Sequence, residues 1–114
     1  MSDDPRRFLR YLDAERNASL LYRALAESTD GEQREALLEL ADVEDKHAQH
    51  WVDKLTAYGV DIPPAPTVLN ADDEQLVRRA RSLGLVSVLD TLEQNEGADA
   101  GMYDDEPEAL PTMP

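Results

Sequence analysis

The chain has 114 residues, enough for one hydrophobic core and too few for two. Its net charge of −14, from 25 acidic and 11 basic side chains, repels phosphate backbones and argues against a nucleic-acid partner, while it concentrates cations nearby. Cysteine is absent, which excludes disulfides, zinc knuckles, iron–sulfur centres and thiol nucleophiles in this chain.

The first expected element follows Ser2-Asp3-Asp4-Pro5, where Ser or Asp can cap a helix and Pro suits its first turn. From Pro5 to about Ser28, the residues Phe8, Leu12, Glu15, Ser19, Tyr22 and Ala26 recur every three or four positions and so share one face. Thr29-Asp30-Gly31 breaks the pattern. Asp30 stands in an N-cap position, with Gln33 placed for a capping box. The second helix is expected from about Glu32 to Tyr58, with an inward stripe of Leu37, Leu40, Glu44, His47, Trp51, Leu55 and Tyr58 and with Gly59 as its terminator. The short link makes the two helices an antiparallel hairpin over residues 1–59.

Residues 60–70 form a connector containing Pro63-Pro64-Ala65-Pro66, expected to be extended and to cross over the hairpin. Asn70 can cap a third helix whose first turn carries Asp72, Asp73 and Glu74. Gly84 bends or ends it. Further helix follows to Tyr103, completing a segment over 71–103 with a predicted stripe of Val86, Leu89, Glu93, Glu96, Ala100 and Tyr103. Residues 104–114 are acidic and Pro-containing and are expected to be a mobile tail. The fold class is therefore all-α, one domain. No apolar run follows Met1–Arg10, and none approaches the ~18 residues of a membrane span, so a soluble, cytosolic placement is expected.

The informative glutamates are those inside apolar stripes. Glu15, Glu44, Glu93 and Glu96 fall on predicted inward faces, where a carboxylate is costly unless it is paired or binds a metal. Glu44-Asp45-Lys46-His47 places a carboxylate and an imidazole one turn apart on one face, a donor pair suited to iron, manganese or zinc. Di-iron carboxylate bundles use one Glu from each of two helices and a Glu-x-x-His from each of the other two. This sequence supplies Glu15, then Glu44 with His47, then Glu96 with Glu93 one turn before it. A weak repeat, Glu15-x6-Tyr22 and Glu96-x6-Tyr103, predicts a second Glu-x-x-His near position 125, past the last residue here. A fourth helix is thus missing from the set: either the sequence is a fragment, or a symmetric homodimer pooling two copies of Glu15, Glu44 and His47 completes one dinuclear site. Tyr22 and Tyr103 are candidates to hydrogen-bond the ligands, with core packing as the competing role. His50 points off the stripe and reads as a surface residue.

Residues 14–27 (AERNASLLYRALAE), 37–60 (LLELADVEDKHAQHWVDKLTAYGV) and 88–109 (VLDTLEQNEGADAGMYDDEPEA) together resemble the ferritin-like domain of the rubrerythrin group. They are most similar to the N-terminal domain of bacterial erythrin–vacuolar iron transporter fusions, also called membrane-bound ferritins. Encapsulated ferritins, which assemble their site between helical hairpins, are a further relative. The resemblance implies two iron ions per complete site, or manganese, bound by Glu15, Glu44, His47, Glu93 and Glu96. It implies ferroxidase chemistry with O2 or H2O2, or iron sensing, in an iron transport or storage system. It also implies a cytosolic homodimer and a membrane transporter domain in the parent protein. The chain departs from the family in lacking the second Glu-x-x-His and a cysteine-bound rubredoxin centre. The alternative reading is an acidic helical interaction or oligomerisation module without metal, its inward glutamates paired with arginine or protonated.

Overall fold

The computed structural model describes residues 4–101, 103 and 106–110, and these form helices and connecting segments without strands. Helix α1 spans Arg7–Glu27 and α2 spans Gly31–Ala57. Helix α3 spans Ala71–Leu83, a 3₁₀ turn follows at Leu85–Val88, and α4 spans Leu89–Gly101. No helix of the described residues is long and apolar enough to cross a membrane.

Local chemistry explains most of the boundaries. At the start of α1, Asp4 Oδ1 accepts from the Arg6 amide at 2.9 Å; Ser2 and Asp3, the other predicted caps, lie outside the described residues. The Asp30 capping box does not form, because the Asp30 side chain makes no cap hydrogen bond. The chain instead enters α2 through Gly31 at φ 63°, a left-handed conformation that glycine adopts without a Cβ penalty. At the far end of α2, Gly59 has φ 74°. The Val60 amide bonds Leu55 O at 2.9 Å and the Gly59 amide bonds Thr56 O at 3.0 Å, which satisfies the last carbonyls in a Schellman motif. Asn70 caps α3 as its position suggests, with the Asp73 amide 2.9 Å from Asn70 Oδ1.

The connector returns along α1. Val60 and Ile62 pack near Phe8 and Leu55, Arg16 Nη1 donates to Pro63 O at 2.8 Å, and Leu69 reaches the other end of the hairpin. Helix α3 starts beside the middle of α1, where Asn70 and Asp73 share a cleft with Asn17 and Ala18, and runs toward the α1–α2 turn, where Arg81 meets Glu27, laying Leu76, Val77 and Ala80 into the cluster of Leu21, Leu25 and Leu37.

The core is divided in two. One apolar cluster lies at the hairpin turn and contains Tyr22, Leu25, Ala41, Val77, Val88 and Leu92. The other lies at the open end and contains Phe8, Tyr11, Leu12, Trp51, Leu55 and Tyr103. Fully buried side chains of this size each contribute about 1.5–3 kcal/mol relative to exposure. Between the two clusters, in chain order on both helices, sit Glu15 and Ser19 of α1 and Glu44 and His47 of α2, all buried. The hairpin thus contains a buried polar layer sandwiched by two apolar ones.

Two expectations need correction. The predicted α4 stripe is out of phase: Val86 is 72% exposed, Leu89 and Glu93 are exposed, and Val88 and Leu92 are buried in their place. The inward stripe is instead Leu85, Val88 and Leu92, the same three-and-four spacing set one residue earlier, while Tyr103 at the far end of the predicted stripe is buried. Secondly, residues 106–110 lie against the hairpin where a mobile tail was expected. Glu106 is buried, and Lys54 Nζ meets Glu108 Oε2 at 2.9 Å. Asp104, Asp105 and 111–114, the rest of that tail, lie outside the described residues.

Candidate metal centre

The polar layer brings Glu15, Glu44 and His47 together. Each offers one donor atom, and these atoms lie within 4.8 Å of one another. That spread is only slightly wider than the roughly 4.4 Å spanned by two opposed N or O donors each about 2.2 Å from one ion. The residues are 2%, 7% and 3% exposed, respectively. Glu15 comes from the middle of α1, and Glu44 and His47 come from one face of α2, so the packing of two long helices fixes the group.

Two atoms of the group are left over. Glu15 Oε2 and His47 Nδ1 are buried and accept or donate no hydrogen bond, although they lie 3.4 Å apart. Buried polar atoms are normally satisfied, and an orphaned carboxylate oxygen facing an orphaned ring nitrogen is the arrangement a cation between them would complete. Trp51 Nε1, one turn beyond His47, is buried without a partner as well. Arginines do not neutralise Glu15. In the described ion pairs they go to Asp4, Glu27, Asp42, Asp45, Glu74 and Glu106, while Glu15 faces His47. Two carboxylates and one imidazole are hard and borderline donors with no thiolate among them, which suits Fe²⁺, Mn²⁺ or Zn²⁺.

The second oxygen of Glu15 has its own partner. Tyr103 donates a hydrogen bond from its hydroxyl to Glu15 Oε1. The Tyr103 ring stacks on Trp51 at 5.7 Å and meets Tyr11 edge-on at 5.1 Å. Burial first, then the hydrogen bond to Glu15 and the charges of Glu15 and Glu44, push the phenol pKa well above its ordinary value. The ring therefore stays a neutral donor across the physiological range. Tyr22 does not serve Glu15; its hydroxyl lies 3.5 Å from Glu96 Oε1. The two Glu-x6-Tyr segments are thus crossed, each tyrosine turned toward the glutamate of the other segment.

Glu93 and Glu96 do not join the group. Glu93 is exposed and Glu96 half-buried, and both border an apolar cleft of about 300 Å³ with Tyr22, Leu37, Leu40 and Leu89. The inward stripe runs through Val88 and Leu92, one residue before the predicted one, which leaves Glu93 off the inward face. His50, read as a surface residue, is half-buried and bonds Glu108 O through Nε2.

Sequence reasoning missed Glu106. Its carboxylate is buried against Arg7, with Arg7 Nε 2.6 Å from Oε2, and it also accepts from the Tyr11 hydroxyl at 3.0 Å. Burial opposes ionisation there, yet the Arg7 and Tyr11 hydrogen bonds and the Glu108 amide hold its pKa below the ordinary carboxylate value. A Glu surrounded by Asp104, Asp105 and Glu108 carries no periodic signal, so nothing in the sequence marked it.

No protein-family model matches the chain, and no curated protein or solved structure matches it.

Proposed function

We propose that this chain is a ferritin-like, iron-binding domain whose ligands are Glu15, Glu44 and His47. The observation that carries the reading is the buried Glu–Glu–His layer between two apolar clusters, with Glu15 Oε2 and His47 Nδ1 unpaired and facing each other. Burying charges in this way costs several kcal/mol per ion, and a divalent cation is the compensation that fits the donor set. Fe²⁺ held there is the substrate of a one-electron oxidation with O2 or H2O2 as acceptor; Mn²⁺ suits the same donors.

The chain's own residues have separate tasks in this reading. Glu15 and Glu44 supply negative charge and His47 a neutral nitrogen. Tyr103 holds Glu15 Oε1 with a hydrogen bond, which leaves Oε2 as the oxygen directed at the ion. The aromatic layer of Trp51, Tyr11 and Phe8 keeps bulk water from that side of the group.

A dinuclear centre needs more donors than three. Two copies of the hairpin would carry four glutamates and two histidines, the donor set of di-iron carboxylate bundles, and because the group is buried within one chain, sharing it between copies requires each chain to open around it. Leu40 and Val43, exposed on α2 just before Glu44, offer the apolar surface for such a two-fold contact. The crossed Tyr–Glu pairing supports an underlying pseudo-repeat with Glu96 as the counterpart of Glu15. A cytoplasmic setting and a role beside a membrane transporter, in iron storage, sensing or transport, complete the proposal.

Aerobic oxidation kinetics test it. Fe²⁺ added to the protein in air is expected to oxidise faster than in buffer, with molar mass by light scattering reporting a dimer. Oxidation at the buffer rate alongside measured Fe²⁺ binding would reduce the role to sensing or carriage.

A further inference from the structure

Among the described residues, three buried side-chain atoms lack a hydrogen-bond partner: Glu15 Oε2, His47 Nδ1 and Trp51 Nε1. They do not need the same thing. A carboxylate oxygen and an unprotonated ring nitrogen both have lone pairs, and a cation satisfies both. The indole nitrogen carries a proton and only donates. No cation can satisfy it. Its N–H needs an acceptor, and a buried donor without one is costly.

Trp51 is 0% exposed and lies one turn beyond His47, on the same face of α2. It also adjoins the other arm of the group. Burial and the bond to Glu15 raise the Tyr103 pKa, while the Trp51 N–H acts in the opposite sense, which sets it beside the phenol oxygen that touches Glu15 Oε1. The contact falls short of a hydrogen bond, so the indole donor is unspent at the edge of the Glu15–Glu44–His47 group.

The group is in turn short of ligands. Each of its three residues offers one atom, and Tyr103 holds the second oxygen of Glu15. An ion suited to these donors takes four ligands or more, so at least one position falls to a molecule from solvent. The oxygen or nitrogen of that molecule has lone pairs left over, which is what the Trp51 N–H lacks. Two carboxylates already balance a divalent ion, and a buried site disfavours much further charge. The added ligand is therefore small and at most singly charged.

We propose that Trp51 Nε1 is the hydrogen-bond donor of a subsite for a small Lewis base (water, hydroxide or a monoanion) seated beside the cation held by Glu15, Glu44 and His47. The subsite rests on the metal-binding reading above and forms only with the cation present. Trp51 is thus a binding residue as well as part of the aromatic layer. Because hydrogen bonds to charged acceptors are the stronger ones, its N–H favours an anion over water.

The test uses the full chain, with azide as the Lewis base. Trp51 is the single tryptophan, so its indole N–H gives one signal in a proton–nitrogen correlation spectrum. In protein loaded with diamagnetic Zn²⁺, azide is expected to shift that signal downfield in a saturable way. In metal-free protein the signal is expected to stay in place. In Co²⁺-loaded protein the visible absorption reports both metal and azide. There Trp51→Phe is expected to weaken azide about tenfold, the loss of one hydrogen bond to a charged acceptor, with Co²⁺ affinity within about threefold of wild type. An indole signal that stays still while the Co²⁺ spectrum reports bound azide overturns the subsite and leaves the metal site standing. So does a loaded protein that binds no azide, or a folded Trp51→Phe that binds it as tightly as wild type. An equal shift in metal-free protein overturns it too, since the N–H then meets a pocket that needs no cation. Where Trp51→Phe does not fold, the wild-type spectra decide. Wild-type protein that takes up neither Zn²⁺ nor Co²⁺ sinks the metal reading and the subsite together.

Discussion

The Tyr103 hydroxyl donates to Glu15 Oε1 across 88 positions of sequence, inside the core of the molecule. This bond joins a residue just past the last helix to the middle of the first. It also divides the labour of one carboxylate: Oε1 is held, and Oε2 is left facing His47 Nδ1 at 3.4 Å.

Removing the phenol should cost stability in the metal-free protein. Tyr103→Phe leaves Glu15 Oε1 buried without its donor, a penalty of about 1–3 kcal/mol. Urea unfolding followed by Trp51 fluorescence measures it. A change within about 0.3 kcal/mol would mean the hydrogen bond is not maintained in solution.

Replacing the polar layer as a unit should do the opposite. Glu15→Met, Glu44→Leu and His47→Leu, combined with Tyr103→Phe, would fuse the two apolar clusters into one. Exchange of buried ionic groups for packed apolar ones stabilises by about 1–4 kcal/mol in favourable cases. Differential scanning calorimetry of the metal-free proteins is expected to show a higher Tm for the quadruple variant. A lower Tm would argue that the layer serves the fold and not a ligand.

Glu106 makes the attachment of residues 106–110 sensitive to acid. Its folded-state pKa lies below the ordinary value of 4.5, so its stabilising contribution is fully present above that value. The contribution disappears as pH falls through the lowered folded pKa. Proteolysis within this segment by an acid-active protease should therefore accelerate as pH drops below about 4.5, earlier than unfolding of α1 and α2. Glu106→Gln should already be cleaved readily by the same protease above that pH, with little change beyond the protease's own activity on further acidification.

Gly59 tests the termination of α2. A Cβ there would meet nothing within 4 Å, so the cost of Gly59→Ala is torsional alone, at φ 74°. About 1 kcal/mol of destabilisation is expected from denaturant titration. A neutral result would mean that the backbone relaxes out of the Schellman geometry.

The hairpin was readable because its helices keep one period over most of their length, although Leu40 and Tyr58 of the predicted α2 stripe are exposed. All six residues of the α1 stripe are buried, including Glu15 and Ser19, and Glu44 and His47 fall inward with them. The three-residue group at the site was therefore legible from spacing alone. Beyond Gly84 the same logic failed. The stripe through Leu85, Val88 and Leu92 fits the residue pattern as well as the one through Val86, Leu89 and Glu93, and periodicity alone did not choose between them; Glu93 is exposed and Glu96 lies beside Tyr22. The Asp30 cap failed for a different reason: Gly31 at positive φ takes the chain into α2 without a side-chain acceptor. Glu106 depends on a contact 99 positions away, with Arg7, and no local pattern encodes it.

The most direct test of the central claim is an anaerobic Fe²⁺ titration of the wild type and Glu44→Ala, with metal bound and molar mass measured on the same samples. The account predicts saturable binding approaching two irons per dimer, weakened at least ~100-fold in Glu44→Ala while that variant remains helical. A folded wild-type protein that binds no Fe²⁺, or a Glu44→Ala variant that binds as well as wild type, would contradict it.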